Sequence, residues 1–201
     1  MELSIANPHY WEQRYQEKTD KWDLGQAAPP FASFLTSPNA PKSGKMAVIG
    51  CGQGNDALLF AQHGLEVTGF DFAPSAIASA QKLSQSQGIS CEFLQRDIFD
   101  LAAEFPASFD YVLEHTCFCA ILPELRLKYV KTVHSLIKPQ GEFIALFWLH
   151  NRPDGPPFGS SLSEIQDLFS PFFETTNISL VNNSTVTRQG KEYFARFRTL
   201  A

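Results

Sequence analysis

A chain of 201 residues that is 44% hydrophobic and carries 18 phenylalanines can bury one sizeable core. Its net charge of −5 gives no electrostatic reason to expect a nucleic-acid partner, which favours a basic face. It has no run of roughly 18 apolar residues to span a membrane, and its N-terminal MELSIANPHYWEQRYQ has neither the basic start nor the apolar stretch of a secretory leader.

In chain order, residues 8 to 17 read as a helix, with Asn7 able to cap it and Pro8 at its first position. Trp11 and Tyr15, four apart, share one face. The loop TDKWDLGQAAPP follows and carries Trp22, whose apolar surface needs a cover. A bound ligand is one candidate for that cover. A short helix is expected over Phe31 to Leu35, then a Pro/Ser/Gly linker to Gly44. From Lys45 strand and helix alternate, the pattern of a parallel sheet covered on both faces. Strands are expected at about 46–49, 66–71, 90–95, 109–114 and 142–149, with helices at about 57–63, 74–87 and 123–137. A helix near 163–169 and two strands, about 174–182 and 193–199, form the tail, the strands as a hairpin at the sheet edge.

The stretch KMAVIGCGQGND organises the chain. An apolar strand stops at Gly50, Gly52 and Gly54, and a helical pattern begins at once. Such a turn lets a ligand approach the backbone closely. Asp71 ends the next strand, where an acid beside the glycine turn can accept hydrogen bonds from both hydroxyls of a ribose. Asp97 and Ile98 close the third strand, where an acid can take an adenine amine and an aliphatic group can cover the ring. These strand ends point to one side of the sheet, the side on which open α/β sheets bind ligands. The reading is a nucleoside-cofactor site. A nicotinamide dehydrogenase is the rival, but its fingerprint wants a third glycine where this chain has Asn55. The G-x-G-x-G spacing is similar to the first motif of class I S-adenosylmethionine-dependent methyltransferases.

Further stretches resemble one branch of those enzymes, the thiopurine S-methyltransferase family with its halide/thiol methyltransferases. They are YWEQRYQ, KWDLGQAAP, GCGQGNDALLFAQHGLEVTGFD, DIFDL, EHTCFCAILPELR, LIKPQGEFIAL and DGPPF, in unbroken order from Tyr10 to Phe169. The resemblance implies a Rossmann-like α/β fold with a seven-stranded, mostly parallel sheet and an antiparallel last strand. It implies one domain over 1–201, with residues 1–44 as a helix and lid segment over the cofactor. It assigns S-adenosylmethionine, released as S-adenosylhomocysteine, to Trp11, Tyr15, Trp22, Gly50, Gly52, Asp71, Asp97, Ile98 and His115. His115, with Glu114 beside it, corresponds to the position facing methyl donor and acceptor.

Plant-type members carry Asp-Tyr where this chain has Glu114-His115, and Trp at the position of Tyr15. The fifth strand ends in FWLHNR in place of their MFP-like turn. Those exits line the acceptor pocket, so the acceptor is the open question.

The expectation is a cytoplasmic, monomeric enzyme acting on a small-molecule acceptor: a thiol, bisulfide, thiocyanate or halide. It binds neither nucleic acid nor membrane, and no metal is expected. His115 either takes a thiol proton or donates a hydrogen bond to an anionic acceptor. The bland alternative for His115 is a buried histidine satisfied by backbone. Two other functions stay open: a non-catalytic binding protein, and a methyltransferase for arsenic, selenium or tellurium using Cys117 and Cys119. Free cysteines in an apolar stretch are more often core, and the four cysteines have no disulfide spacing. Arg152, Arg188, Lys191, Arg196 and Arg198 are expected as solvated surface.

Overall fold

The structure is a computed structural model and describes residues 5–200. Residues 1–4 and 201 lie outside the described residues, and with them the ends of the expected 1–201 domain and the start of the stretch read for leader features. Helix α1 (Pro8–Gln16) begins where the Asn7 side chain accepts from the His9 amide and Pro8 occupies the first turn. Helix α2 (Pro29–Leu35) also starts on prolines. Then β1 (Lys45–Ile49), α3 (Asn55–Gln62), β2 (Glu66–Asp71), α4 (Pro74–Gln87) and β3 (Glu92–Gln95) alternate. A 3₁₀ turn (Ile98–Asp100) and α5 (Leu101–Glu104) precede β4 (Phe109–His115). The remainder is α6 (Arg126–Leu136), β5 (Ile137–Trp148), α7 (Leu162–Phe169), β6 (Phe173–Leu180) and β7 (Glu192–Thr199).

The seven strands form one sheet in the order β3-β2-β1-β4-β5-β7-β6. The first five are parallel; β7 runs antiparallel to β5 and to β6. Side chains alternate across the sheet. Met46, Val48 and Leu113 pack with α2, α3 and α4 residues such as Phe31, Phe60 and Ile77. Ala47, Ile49 and Val112 pack with Leu101, Tyr129, Val133 and Phe169 on the other face. Consecutive residues at the end of β4 therefore part company: Glu114 goes to one face and His115 to the other.

Several boundaries differ from expectation by a residue or two, and two differ in kind. The turn Lys138–Gly141 was expected to precede β5, yet pairing begins at Ile137 opposite Phe109, and Lys138 Nζ lies 2.9 Å from Asp110 Oδ1. The expected helix over 123–137 opens as a 3₁₀ turn, Pro123–Leu125, before α6. At the start of α3, Gly54 has φ +85°, and a Cβ there would sit 2.9 Å from both Ala80 Cβ and the Phe93 ring. Only glycine lets this turn lie flat against α4 and β3. Among the described residues no helix is long and apolar enough to cross a membrane.

Candidate active site

The ends of β1, β2 and β4 meet at the glycine turn. Asp71 is buried; its Oδ2 accepts from the Gly52 amide at 3.0 Å and its Oδ1 from the Ala73 amide at 3.0 Å. Burial outweighs these hydrogen bonds and raises its pKa to about 6. Tyr15 reaches over from α1, so that a Cβ on Gly52 would lie 3.3 Å from its hydroxyl. Trp22 Nε1 donates to that hydroxyl at 3.3 Å, and the Trp22 ring meets Trp11 and Tyr15 edge-on at centroid distances of 5.4 and 5.6 Å. The aromatic cover expected of residues 11, 15 and 22 is thus one cluster above the turn.

The loop carrying Trp22 is fastened to the turn by residues the sequence did not single out for this. Gln53 Nε2 donates to Asp20 Oδ2 at 2.8 Å, and Asn55 Nδ2 donates to Asp23 Oδ1 at 3.1 Å. Asn55, the position that excluded a dinucleotide fingerprint, is therefore a contact to the Trp22 loop. Under the loop is a cavity of about 50 Å³, lined by Trp22, Leu24, Gln26, Gly50, Gly52, Asp56, His115 and Thr116 among others. A larger, more open recess of about 410 Å³ adjoins it at Asp23 and Gln53 and is lined by Tyr15, Ser75 and Ser79.

His115 forms one wall of the inner cavity, and its ring is held by side chains rather than by backbone. Its Nδ1 lies 2.8 Å from Asp56 Oδ2, its Nε2 lies 2.7 Å from Arg188 Nη1, and Glu192 Oε1 is 3.5 Å from Nε2. Phe31 packs edge-on against the ring at 5.8 Å. Burial lowers the His115 pKa, but the Asp56 and Glu192 carboxylates more than offset it and raise it to about 9, with Arg188 opposing them. The contact with Arg188 sets a stricter condition. A guanidinium has donors only, so a 2.7 Å approach is a hydrogen bond only while Nε2 keeps its lone pair. In this closed arrangement we take His115 as neutral, with its proton on Nδ1.

Arg188 corrects an expectation. It is 3% exposed, not solvated surface. Its Nη2 donates to the Trp22 carbonyl at 2.7 Å, and its Nη1 lies 3.3 Å from Glu192 Oε1. Arg152, Lys191 and Arg198 are exposed as expected, while Arg196 and Arg198 both pair with Glu142.

Glu114 is separated from His115 by the strand. It is fully buried, its Oε2 accepts from the Cys117 and Phe118 amides at 3.0 and 2.8 Å, and burial raises its pKa to about 7. It shapes the turn after β4 and is not part of the cavity lining. In that turn Thr116 has φ +58°, an uncommon conformation for a β-branched residue. Asp97 caps the 3₁₀ turn by accepting from the Phe99 amide at 2.9 Å. Asp97 and Ile98 stand at the same sheet edge as Asp71 but do not line either cavity. Cys117 packs on Gly50, where a Cβ would lie 2.9 Å from its sulfur. Burial pushes the Cys117 thiol well up and the Cys119 thiol up to about 12.

The glycine turn, the acid at the tip of β2 and an N-terminal aromatic cover are joined by one comparison that decides the family. The model of the thiopurine S-methyltransferase family matches residues 6–198. This chain belongs to the thiopurine S-methyltransferase family. A probable thiol methyltransferase 2 of Arabidopsis thaliana is 32% identical to it over 94% of this chain and 84% of that protein. Thiocyanate methyltransferase 1 of the same plant is 29% identical over the same shares. Among solved structures, the 1,6-didemethyltoxoflavin-N1-methyltransferase of Burkholderia thailandensis, with bound S-adenosylhomocysteine, superposes with a TM-score of 0.75 at 20% identity. It covers all of this chain and 94% of that one, which shows the shared fold. The family member described here is an S-adenosylmethionine-dependent methyltransferase with a Rossmann-like fold.

Proposed function

We propose that this methyltransferase moves the methyl group of S-adenosylmethionine to a small soft nucleophile (a thiol, bisulfide, thiocyanate or halide) by direct in-line displacement. The observation that carries the reading is His115, whose two ring nitrogens are both engaged at the wall of a small cavity beneath the lid. A group so held is a poor general base; bisulfide, thiocyanate and halide arrive as anions and need none, and a thiol is accepted as its thiolate. The relatives named for thiocyanate and thiol substrates point the same way.

The residues present fit the cofactor. Each Asp71 oxygen accepts one backbone amide and retains capacity for a ribose hydroxyl. The Gly50–Gly52 backbone lies open to the cavity, and the Trp11, Tyr15 and Trp22 rings suit a desolvated cation. When bound, S-adenosylmethionine supplies an electrophilic methyl on a sulfonium and a neutral thioether leaving group. The chain's share of the work is to position the acceptor in line and exclude water, with residues 1–44 serving as the lid.

The test is a headspace assay of volatile methyl products from iodide, thiocyanate and bisulfide in parallel. Turnover of at least one is expected, with a rate for iodide that does not depend on a deprotonating group. Silence in every vial, with S-adenosylmethionine binding confirmed by calorimetry, would overturn the small-acceptor reading.

A further inference from the structure

The contacts that hold the lid shut converge on one imidazole. Between Trp22 and Ala28 the chain crosses the glycine turn, and each end of the crossing is tied to a different ring nitrogen of His115. At the first end Arg188 grips the Trp22 carbonyl with Nη2 at 2.7 Å while its Nη1 stands 2.7 Å from Nε2. At the second end the Ala28 amide donates to Asp56 Oδ1 at 2.7 Å while Asp56 Oδ2 stands 2.8 Å from Nδ1. Trp22 and Ala28 are thereby linked through Arg188, His115 and Asp56 in one continuous chain.

We propose that Arg188 is a positioning residue that couples closure of the 22–28 lid to loss of a proton from His115. With the lid shut, the guanidinium fork needs an acceptor at Nε2, so the ring is neutral and its remaining proton faces Asp56. With the lid open, the Trp22 carbonyl leaves, and Arg188 retains Glu192 as an alternative acceptor at 3.3 Å. Nε2 is then free to bind a proton facing the same carboxylate, which lies 3.5 Å away.

The titratable and charged groups around the ring are Asp56 from α3, Glu192 from β7, Arg188, and Glu114 on its own strand. The Asp56 and Glu192 carboxylates favour the imidazolium and Arg188 opposes it, so the ring gains a proton more readily once Arg188 swings away. The balance is simple: imidazolium in the open form gives imidazole in the closed form plus a proton to buffer. The inference rests on the methyltransferase reading only for the identity of the ligand that closes the lid.

The experiment titrates S-adenosylhomocysteine into the full chain at pH 7.5 in buffers of different ionisation enthalpy. At that pH Asp71, with a pKa of about 6, is already ionised. Release of roughly 0.5–1 proton per site is expected, falling to near zero in His115→Asn. Arg188→Lys should release less than about half the wild-type amount, because the ammonium's donors all sit on one nitrogen and lack the fork that spans Nε2 and the Trp22 carbonyl. In the same variant, ligand should no longer protect the exposed Lys21 from trypsin, and cleavage there should quicken by roughly tenfold. If Arg188→Met fails to fold because Glu192 is left unpaired, Arg188→Met with Glu192→Gln removes both charges and should bind ligand without proton release. Binding without proton release in the wild type, or release unchanged in His115→Asn or Arg188→Lys, would overturn the coupling while leaving the methyltransferase reading intact. No binding heat at all would overturn the cofactor reading and this proposal together.

Discussion

Both carboxylate oxygens of Asp71 are engaged by backbone amides, yet the group is so buried that its pKa stands near 6, against an ordinary 3.8. An acid whose folded-state pKa is raised binds its proton more tightly when folded. Ionising it therefore costs stability as the pH rises from about 4 to 6, the reverse of a paired surface carboxylate. Accepting two ribose hydroxyls calls for the ionised form. Below pH 6 S-adenosylhomocysteine affinity should fall by up to about a further tenfold per pH unit beyond the slope set by the His115 proton, and Asp71→Asn should remove that added slope while weakening binding throughout. Calorimetry from pH 5 to 7.5 checks this; a wild-type slope no steeper below pH 6 than above it would place the ribose elsewhere. Asp71 was legible in the sequence because it ends a strand next to a glycine turn. Arg188 was not. Its partners Trp22 and His115 lie 166 and 73 positions away, and its neighbours Thr187, Gln189 and Gly190 read as solvated loop. Asp56 left a weaker signal, an acid in the first turn of the helix that leaves the glycine turn.

Helix α1 contains no fully buried residue, so burial of its own face cannot be what docks it. It is held by edge-on ring contacts through Trp11 and Tyr15 and by Glu12, whose oxygens accept from the Ser75 amide at 2.9 Å and the Ser75 hydroxyl at 2.5 Å. Those donors sit in the first turn of α4, where a carboxylate is favoured by unpaired amides and by the helix dipole. Glu12→Ala should release α1 from α4 at a cost of about 1–2 kcal/mol to the closed lid. The measurable result is roughly tenfold weaker S-adenosylhomocysteine binding with a melting temperature within about 2 °C of wild type. A large fall in melting temperature with affinity unchanged would show that α1 belongs to the core. The sequence revealed this helix, its cap and its aromatic face, because all three are local. It did not reveal Glu12 as the anchor, because the donors are 63 positions away. The same limit explains β5, whose early start at Ile137 depends on Phe109 of a neighbouring strand.

At the scale of the whole molecule, the parallel half of the sheet builds the cofactor side and the last strand completes the site. β7 is not an edge strand: it lies between β5 and β6, and among the described residues β6 pairs with no other strand. Ala195 and Phe197 of β7 are fully buried, with Phe197 stacked on Phe169 at 4.9 Å. The strand also delivers Glu192 to Arg188 and His115, while the 3₁₀ turn Val186–Arg188 just before it delivers the arginine itself. Fold and lid latch thus depend on the same C-terminal segment, and one truncation and one substitution separate them. Deleting residues 184–201 strips β6 of its only partner, exposes the buried face of β5 and removes the Phe197 anchor, a loss of several kcal/mol against a stability of about 5–15. The truncated chain should show no cooperative thermal transition and no near-ultraviolet aromatic signal. Glu192→Gln, by contrast, keeps the strand and removes one charge from beside His115. It should melt as a single transition and shift proton release on ligand binding, because the open-state imidazolium loses a carboxylate. A truncated chain that still melts cooperatively would show that the five parallel strands fold alone, and that the C-terminal strands serve the lid rather than the core.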